Sequence, residues 1–173
     1  MSTNSFIAIE QDNGKYRAIY CHHDGHLFHH GEILLNHYQY KQKVEDLINL
    51  GDISSLAAKL RPKNPKRHSF DPEFGRERDV VLAYARDRGD EGTEAREFTL
   101  EELQGHDADW IEFTYIFTEE NEWKYFDNQN KELRSVADDF VKKFKNVVNP
   151  RKLGKITSKL ILDAKQKQTQ EEM

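Results

Sequence analysis

Between Tyr20 and Tyr38 the chain gathers its only cysteine and six of its eight histidines. Cys21, His22, His23 and Asp24 place a nucleophile, two bases and a carboxylate side by side. Thiol catalysis needs a thiolate, and a nearby cation or helix N-terminus must lower the thiol pKa to make one. A helix starting near Asp24 would supply that field. Successive strand residues point to opposite faces, however, so Cys21 and His22 cannot pair directly. A lone cysteine at a strand end reads more simply as a small buried hydrophobe, and no catalytic residue is assigned.

Metal binding is the second chemistry to weigh. His26 and His30 are spaced i, i+4, with His37 two turns further on, and His22 or Asp24 could complete a zinc shell. Neither His-Glu-x-x-His nor Cys-x-x-Cys occurs. Exposed histidines on a helix surface are the simpler reading, and no cofactor is expected. The third candidate is Arg86-Asp87-Arg88-Gly89, whose paired arginines could bind a phosphate or carboxylate bidentately. With Tyr20, Cys21, His22, Asp24, Gly25, His68 and Tyr84 they would line one pocket if the intervening loop folds over the sheet end. The structural alternative has Asp87 holding the turn through salt bridges to neighbouring arginines.

Charge is strongly segregated along the 173 residues. Residues 71–122 hold 17 acidic and 5 basic side chains, whereas residues 141–167 hold 9 basic ones and only Asp163 as an acid. Glu101, Glu102, Asp107 and Asp109 mark an acidic interaction surface, and Lys152, Lys155 and Lys159 mark a basic tail. An acidic body with a basic tail can meet two kinds of surface. A single cysteine excludes an intramolecular disulfide and suits a reducing compartment. Residues 1–10 lack the pattern of a secretion signal, and no apolar run approaches the ~18 residues of a membrane span. The expectation is a soluble cytoplasmic protein with no membrane partner.

The elements that must position these residues follow from patterning. Residues 5–10 and 15–21 read as strands joined by the Asp12-Asn13-Gly14 turn. Leu27, Gly31, Leu34, Leu35 and Tyr38 define one helical face, with Gly31 expected to let that helix approach the sheet closely. A helix over 41–50 stops at Gly51, and Asp52 is expected to cap a further helical turn. Residues 61–78, with Pro62, Pro65 and Pro72, read as a long surface loop, and residues 79–85 as a third strand. Thr99 and Glu102 form a capping-box pattern. Residues 110–118 and 122–127 form a second hairpin, a helix covers 132–149, and Ile156, Leu160, Ile161 and Ala164 mark a last amphipathic helix. The sum is an α+β domain over 1–149, a mostly antiparallel sheet of about five strands packed by helices. A basic helical or flexible tail follows over 150–173.

Tyr20-Cys21-His22-His23-Asp24-Gly25, then Gly31 to Tyr38, then Leu50-Gly51-Asp52-Ile53-Ser54-Ser55-Leu56, together resemble a family of small proteins encoded by bacteriophages, prophages and plasmids. Its pattern is Tyr-Cys-His-x-Asp-Gly, Gly-x-x-Leu-Leu-x-x-Tyr and Leu-Gly-Asp-x-Ser-Ser-Leu. His68-Ser69-Phe70, Tyr84 to Gly89 and the hairpin from Trp110 to Phe126 extend the likeness over about residues 4–127. His23 stands where the family has Trp, and His26-Leu27-Phe28 where Tyr-Pro is usual. The resemblance implies an accessory protein of a mobile element, acting in a bacterial host cell. The leading expectation is therefore a protein that binds and inhibits a host macromolecule, counter-defence being one form of this. The alternatives are a nucleotide-like ligand or metal-dependent chemistry at the His22–Asp24 and Arg86–Arg88 region, and nucleic-acid binding through the basic tail. A small homo-oligomer is compatible with each.

Overall fold

The computed structural model describes residues 2–71 and 73–172. Ser5–Glu10 (β1) and Tyr16–Cys21 (β2) form the antiparallel hairpin expected from sequence, with Gly14 at φ +79° in its turn. Leu27–His37 (α1) and Lys41–Asn49 (α2) follow, then Ile53–Ser55 (β3), Leu82–Ala83 (β4) and Tyr84–Arg88 (α3). Arg96–Phe98 (β5), Leu100–Gln104 (α4), Phe113–Phe117 (β6), Trp123–Asp127 (β7), Arg134–Ser135 (β8), Val136–Phe144 (α5) and Lys155–Glu172 (α6) complete the chain. The strands form one sheet in the order β4-β3-β2-β1-β6-β7-β8, with β5 alongside β2. The fold is α+β and mostly antiparallel, with β1–β6 and β2–β3 paired in parallel and a single parallel bridge between Lys59 and Val80.

Strand alternation divides the core. Ile7, Ile9, Ile19, Cys21, Tyr115 and Tyr125 pack on one face under α1, α2 and α5. Phe6, Ala8, Ala18, Ile116 and Phe126 pack on the other, against Leu103 of α4 and Ile111. A fully buried Leu or Ile contributes about 1.5–3 kcal/mol, so the thicker helical face carries most of the stabilisation. Gly31 does bring α1 close to a neighbour, but the neighbour is α5: a Cβ there would stand 3.2 Å from Phe140 Cδ2.

Three strands exceed the sequence expectation, because pieces of two or three residues carry no alternation to read. Asp52 does not cap a helix; its Oδ1 accepts the Tyr20 N–H at 2.8 Å, and Ile53 pairs with Cys21 in β3. The third strand shortens to Leu82–Ala83, since Asp87 Oδ2 accepts the Ala83 N–H at 2.8 Å and turns the next residues into α3. The helix expected over 132–149 is only Val136–Phe144; Ser135 caps it through the Asp138 N–H, and Arg134 and Ser135 belong to β8. The loop over 61–78 is present but for a short 3₁₀ turn at Pro65–Arg67; Pro72 lies outside the described residues.

The basic C-terminal helix docks on α1. Glu32 Oε1 accepts the Gly154 N–H at 2.6 Å, Asn36 Oδ1 accepts the N–H groups of Ile156 and Thr157, and Thr157 Oγ1 donates to Glu32 Oε2 at 2.7 Å. Side chains of one helix thus satisfy the free N–H groups at the start of another. Thr157 and Ile161 are buried beneath this clamp. No helix of the described residues is long and apolar enough to cross a membrane.

Candidate functional site

The Tyr20–Gly25 segment leaves β2 at the edge where β1 and β6 begin. Asp24 adopts φ +58°, and Gly25 sits so tightly that a Cβ would meet Ser5 Cβ at 2.8 Å. The Gly25 N–H donates to Thr3 O, and its carbonyl accepts the buried Tyr115 hydroxyl at 2.7 Å. The Asp-Gly step is therefore a backbone requirement of the corner. Cys21 is fully buried, its thiol directed at the carbonyls of His23 and Ser54, and burial pushes its pKa up to about 12. It is neither a nucleophile nor an accessible contact. Tyr20 and His22 do come together, hydroxyl to Nδ1 at 2.8 Å, with the Tyr20 ring 5.6 Å from that of Trp110.

His68, Arg86 and Arg88 are each engaged within the loop that carries them. His68 is buried; its Nε2 donates to Val81 O at 3.0 Å and its Nδ1 accepts the Glu77 N–H at 3.1 Å, which fixes the ring's orientation. The Arg86 guanidinium donates to the carbonyls of Leu60 and Val81 and to Asp87. Arg88 lies over the stacked rings of Phe70 and Tyr84, 4.6 and 4.9 Å from their centroids, and pairs with Asp90. These side chains hold their own loop against β4, and Gly89 at φ +81° ends α3. The structural alternative describes Arg86 and Asp87; the partner of Arg88 is Asp90.

The histidines do not form a metal shell either. His26 Nδ1 accepts the His29 N–H and so caps α1. His30, far from exposed, is buried between Ser5 Oγ at 3.1 Å and His29 Nδ1 at 3.0 Å. Burial pushes its pKa well below the imidazole range, and His29 and His26 add to the effect. His37 is exposed on the far end of α1. Among the described residues no three His, Cys, Asp or Glu side chains converge as metal ligands.

A different site opens on the other face of the sheet. Phe6 of β1 and Arg96 and Phe98 of β5 form the floor of a cleft of about 410 Å³, and α4 with the following turn forms its wall. The wall contributes Glu101, Glu102, His106, Asp107 and Trp110. The Thr99–Glu102 capping box anchors the wall, and Lys131 and His106 both bond Asp109, which lowers its pKa. Glu101 and Asp107 remain as exposed rim carboxylates. Trp110 is 56% exposed, yet its ring is ordered by Phe6 at 6.1 Å and Tyr20 at 5.6 Å. Of the acidic residues expected from sequence to form an interaction surface, Glu101, Glu102 and Asp107 line the cleft and Asp109 does not; Phe6, Arg96, Phe98 and Trp110 are the lining residues that the sequence reading misses. The available signal was Trp110, an aromatic directly after the acid-rich Asp107–Asp109. The alternation of 110–118 assigned it to a strand, whereas β6 starts at Phe113.

Compared with known proteins, the chain matches no family model, no curated protein and no solved structure.

Proposed function

We propose that this chain is a binding protein whose acid-rimmed aromatic cleft docks a basic segment of a bacterial host protein. The observation that carries the reading is the half-exposed Trp110 at the lip of a cleft floored by Phe6 and Phe98 and rimmed by Glu101 and Asp107. Exposed, well-braced tryptophans are the side chains on which interface energy concentrates. A lysine or arginine entering the cleft gains the Trp110 ring face and the carboxylates together. The setting suggested by the family resemblance, an accessory protein of a mobile element that blocks a host macromolecule, agrees with a site built for capture.

Trp110 emission reports the cleft directly, because the second tryptophan, Trp123, is buried and bonded to Tyr38 O. Titration with a lysine- and arginine-rich peptide is expected to shift that emission, with an acidic peptide of equal length inert. Trp110→Ala is expected to weaken binding about 30-fold, corresponding to the ~2 kcal/mol of an interface anchor. Glu101→Lys with Asp107→Lys is expected to weaken it at least about tenfold. Equal binding of both peptides, or parental affinity in both variants, would remove the cleft from consideration.

A further inference from the structure

The basic residues at the opposite end of the molecule remain unused by the cleft. Lys142, Lys143 and Lys145 close α5, Arg151 and Lys152 sit in the 3₁₀ turn Pro150–Lys152, and Lys155 and Lys159 open α6. No Asp or Glu occurs from Phe140 to Leu162. Six of these seven cations are exposed, and Lys145 is half-buried. None of them forms an ion pair among the described residues. Seven unpaired like charges repel one another, an arrangement that a polyanion relieves.

We propose that this α5–α6 corner is a docking surface for the phosphodiester backbone of a nucleic-acid duplex. Three observations select that occupant. The only aromatic residue of 141–172 is Phe144, and the one exposed ring beside it, Phe28 of α1, is stacked on Phe140 and edge-on to Phe144, so no aromatic lies among the lysines to stack successive unpaired bases. Toward a bilayer the corner offers only isolated apolar side chains, Val147 and the Phe28 ring already stacked on Phe140, and no continuous apolar face. The start of α6 is already occupied by Glu32 and Asn36, so recognition falls to the side-chain cations, which read charge and spacing without base identity. The same clamp holds the start of α6 on α1 and with it the position of Lys155.

The sheet separates this corner from the acidic cleft, α5 packing on one face and α4 on the other. The overall charge of −5 is no obstacle, since the acids of α5 and α6, Asp138, Asp139, Asp163, Glu171 and Glu172, fall outside the cationic run of 142–159. A chain so divided can hold a duplex and a basic protein segment at once.

The test is fluorescence anisotropy of the full chain with a labelled 20-base-pair DNA duplex and the matching RNA duplex. With about four phosphates engaged, affinity is expected to fall about 10²-fold between ~50 and ~200 mM NaCl, equally for scrambled sequences. Lys152→Gln, Lys155→Gln and Lys159→Gln together are expected to lower the salt slope by about 3 with the melting temperature retained, since these side chains make no ion pairs. Glu101→Gln with Asp107→Gln, across the sheet, is expected to leave duplex affinity unchanged or tighter. No binding at ~50 mM salt, a triple variant that binds as the parent does, or binding to phosphatidylglycerol vesicles in place of duplex would each overturn the proposal. None of these results bears on the peptide titration, so the two sites stand or fall separately.

Discussion

His30 makes the stability of this protein sensitive to mild acid. It is fully buried, bonded to Ser5 and His29, and held neutral by burial. Its folded pKa lies below the ~6.5 of an unfolded chain, so on acidification the unfolded state takes up the proton first. The stability that the neutral ring contributes is complete above pH ~6.5 and is lost as pH falls toward the folded pKa. For a histidine that stays neutral throughout, moving from about pH 7.5 to about pH 5.5 costs about 1.4 kcal/mol. With a urea slope of about 2 kcal/mol/M, the midpoint drops by about 0.7 M. His29 and His37, also lowered by burial, act in the same direction, while the raised carboxyls of Glu10 and Asp52 oppose it. The informative quantity is accordingly the pH increment in the parent minus that in a Ser5→Ala, His30→Leu double variant, which removes the polar pair together. The double variant is expected to lose about 1.4 kcal/mol less on acidification, whatever its absolute stability. An identical loss in both proteins would refute the assignment of a neutral, buried His30.

Three other outcomes follow from the geometry. Gly51→Ala is expected to destabilise by at least about 2 kcal/mol in urea melts, because φ is +78° and a Cβ would collide with the Thr93 carbonyl oxygen. Asn36→Ala is expected to cost about 1–3 kcal/mol and to raise amide exchange first at Ile156 and Thr157, whose N–H groups lose their acceptor. Cys21 is expected to resist a disulfide-exchange reagent in the native protein and to react fully in denaturant, given a buried thiol with a pKa of about 12.

What could be read from sequence was what repeats with a period. The two hairpins and the faces of α1 and α2 stand close to where patterning put them, because alternation and helical spacing record burial over many residues. Asp52 shows where this fails: an Asp before a short polar segment looks like a helix cap, and only a tertiary partner, the Tyr20 N–H, makes it an anchor for a strand. The motif residues misled for a related reason. Asp24, Gly25, His68, Arg86 and Asp87 look like a ligand site by residue type, yet each closes a backbone corner or ties down a loop. The carboxylates of the cleft were visible as charge. Its aromatic floor was not, since Phe6 and Phe98 meet only through the pairing of β2 with both β1 and β5.

The parallel pairing of β1 with β6 governs when this protein can fold. Asn4 and Glu112, 108 positions apart, bond each other reciprocally at the head of that ladder. The first hairpin forms from local contacts, but one edge of its inner strand stays open until Phe113–Phe117 has been synthesised. Folding thus waits on contacts of high sequence separation, this ladder among them, which slows it relative to a chain of local hairpins. An exposed strand edge carrying Phe6, Ile7 and Ile9 is also prone to pair with a neighbouring chain. Any fragment that stops short of β6 keeps that edge, and is expected to aggregate where the longer chain folds.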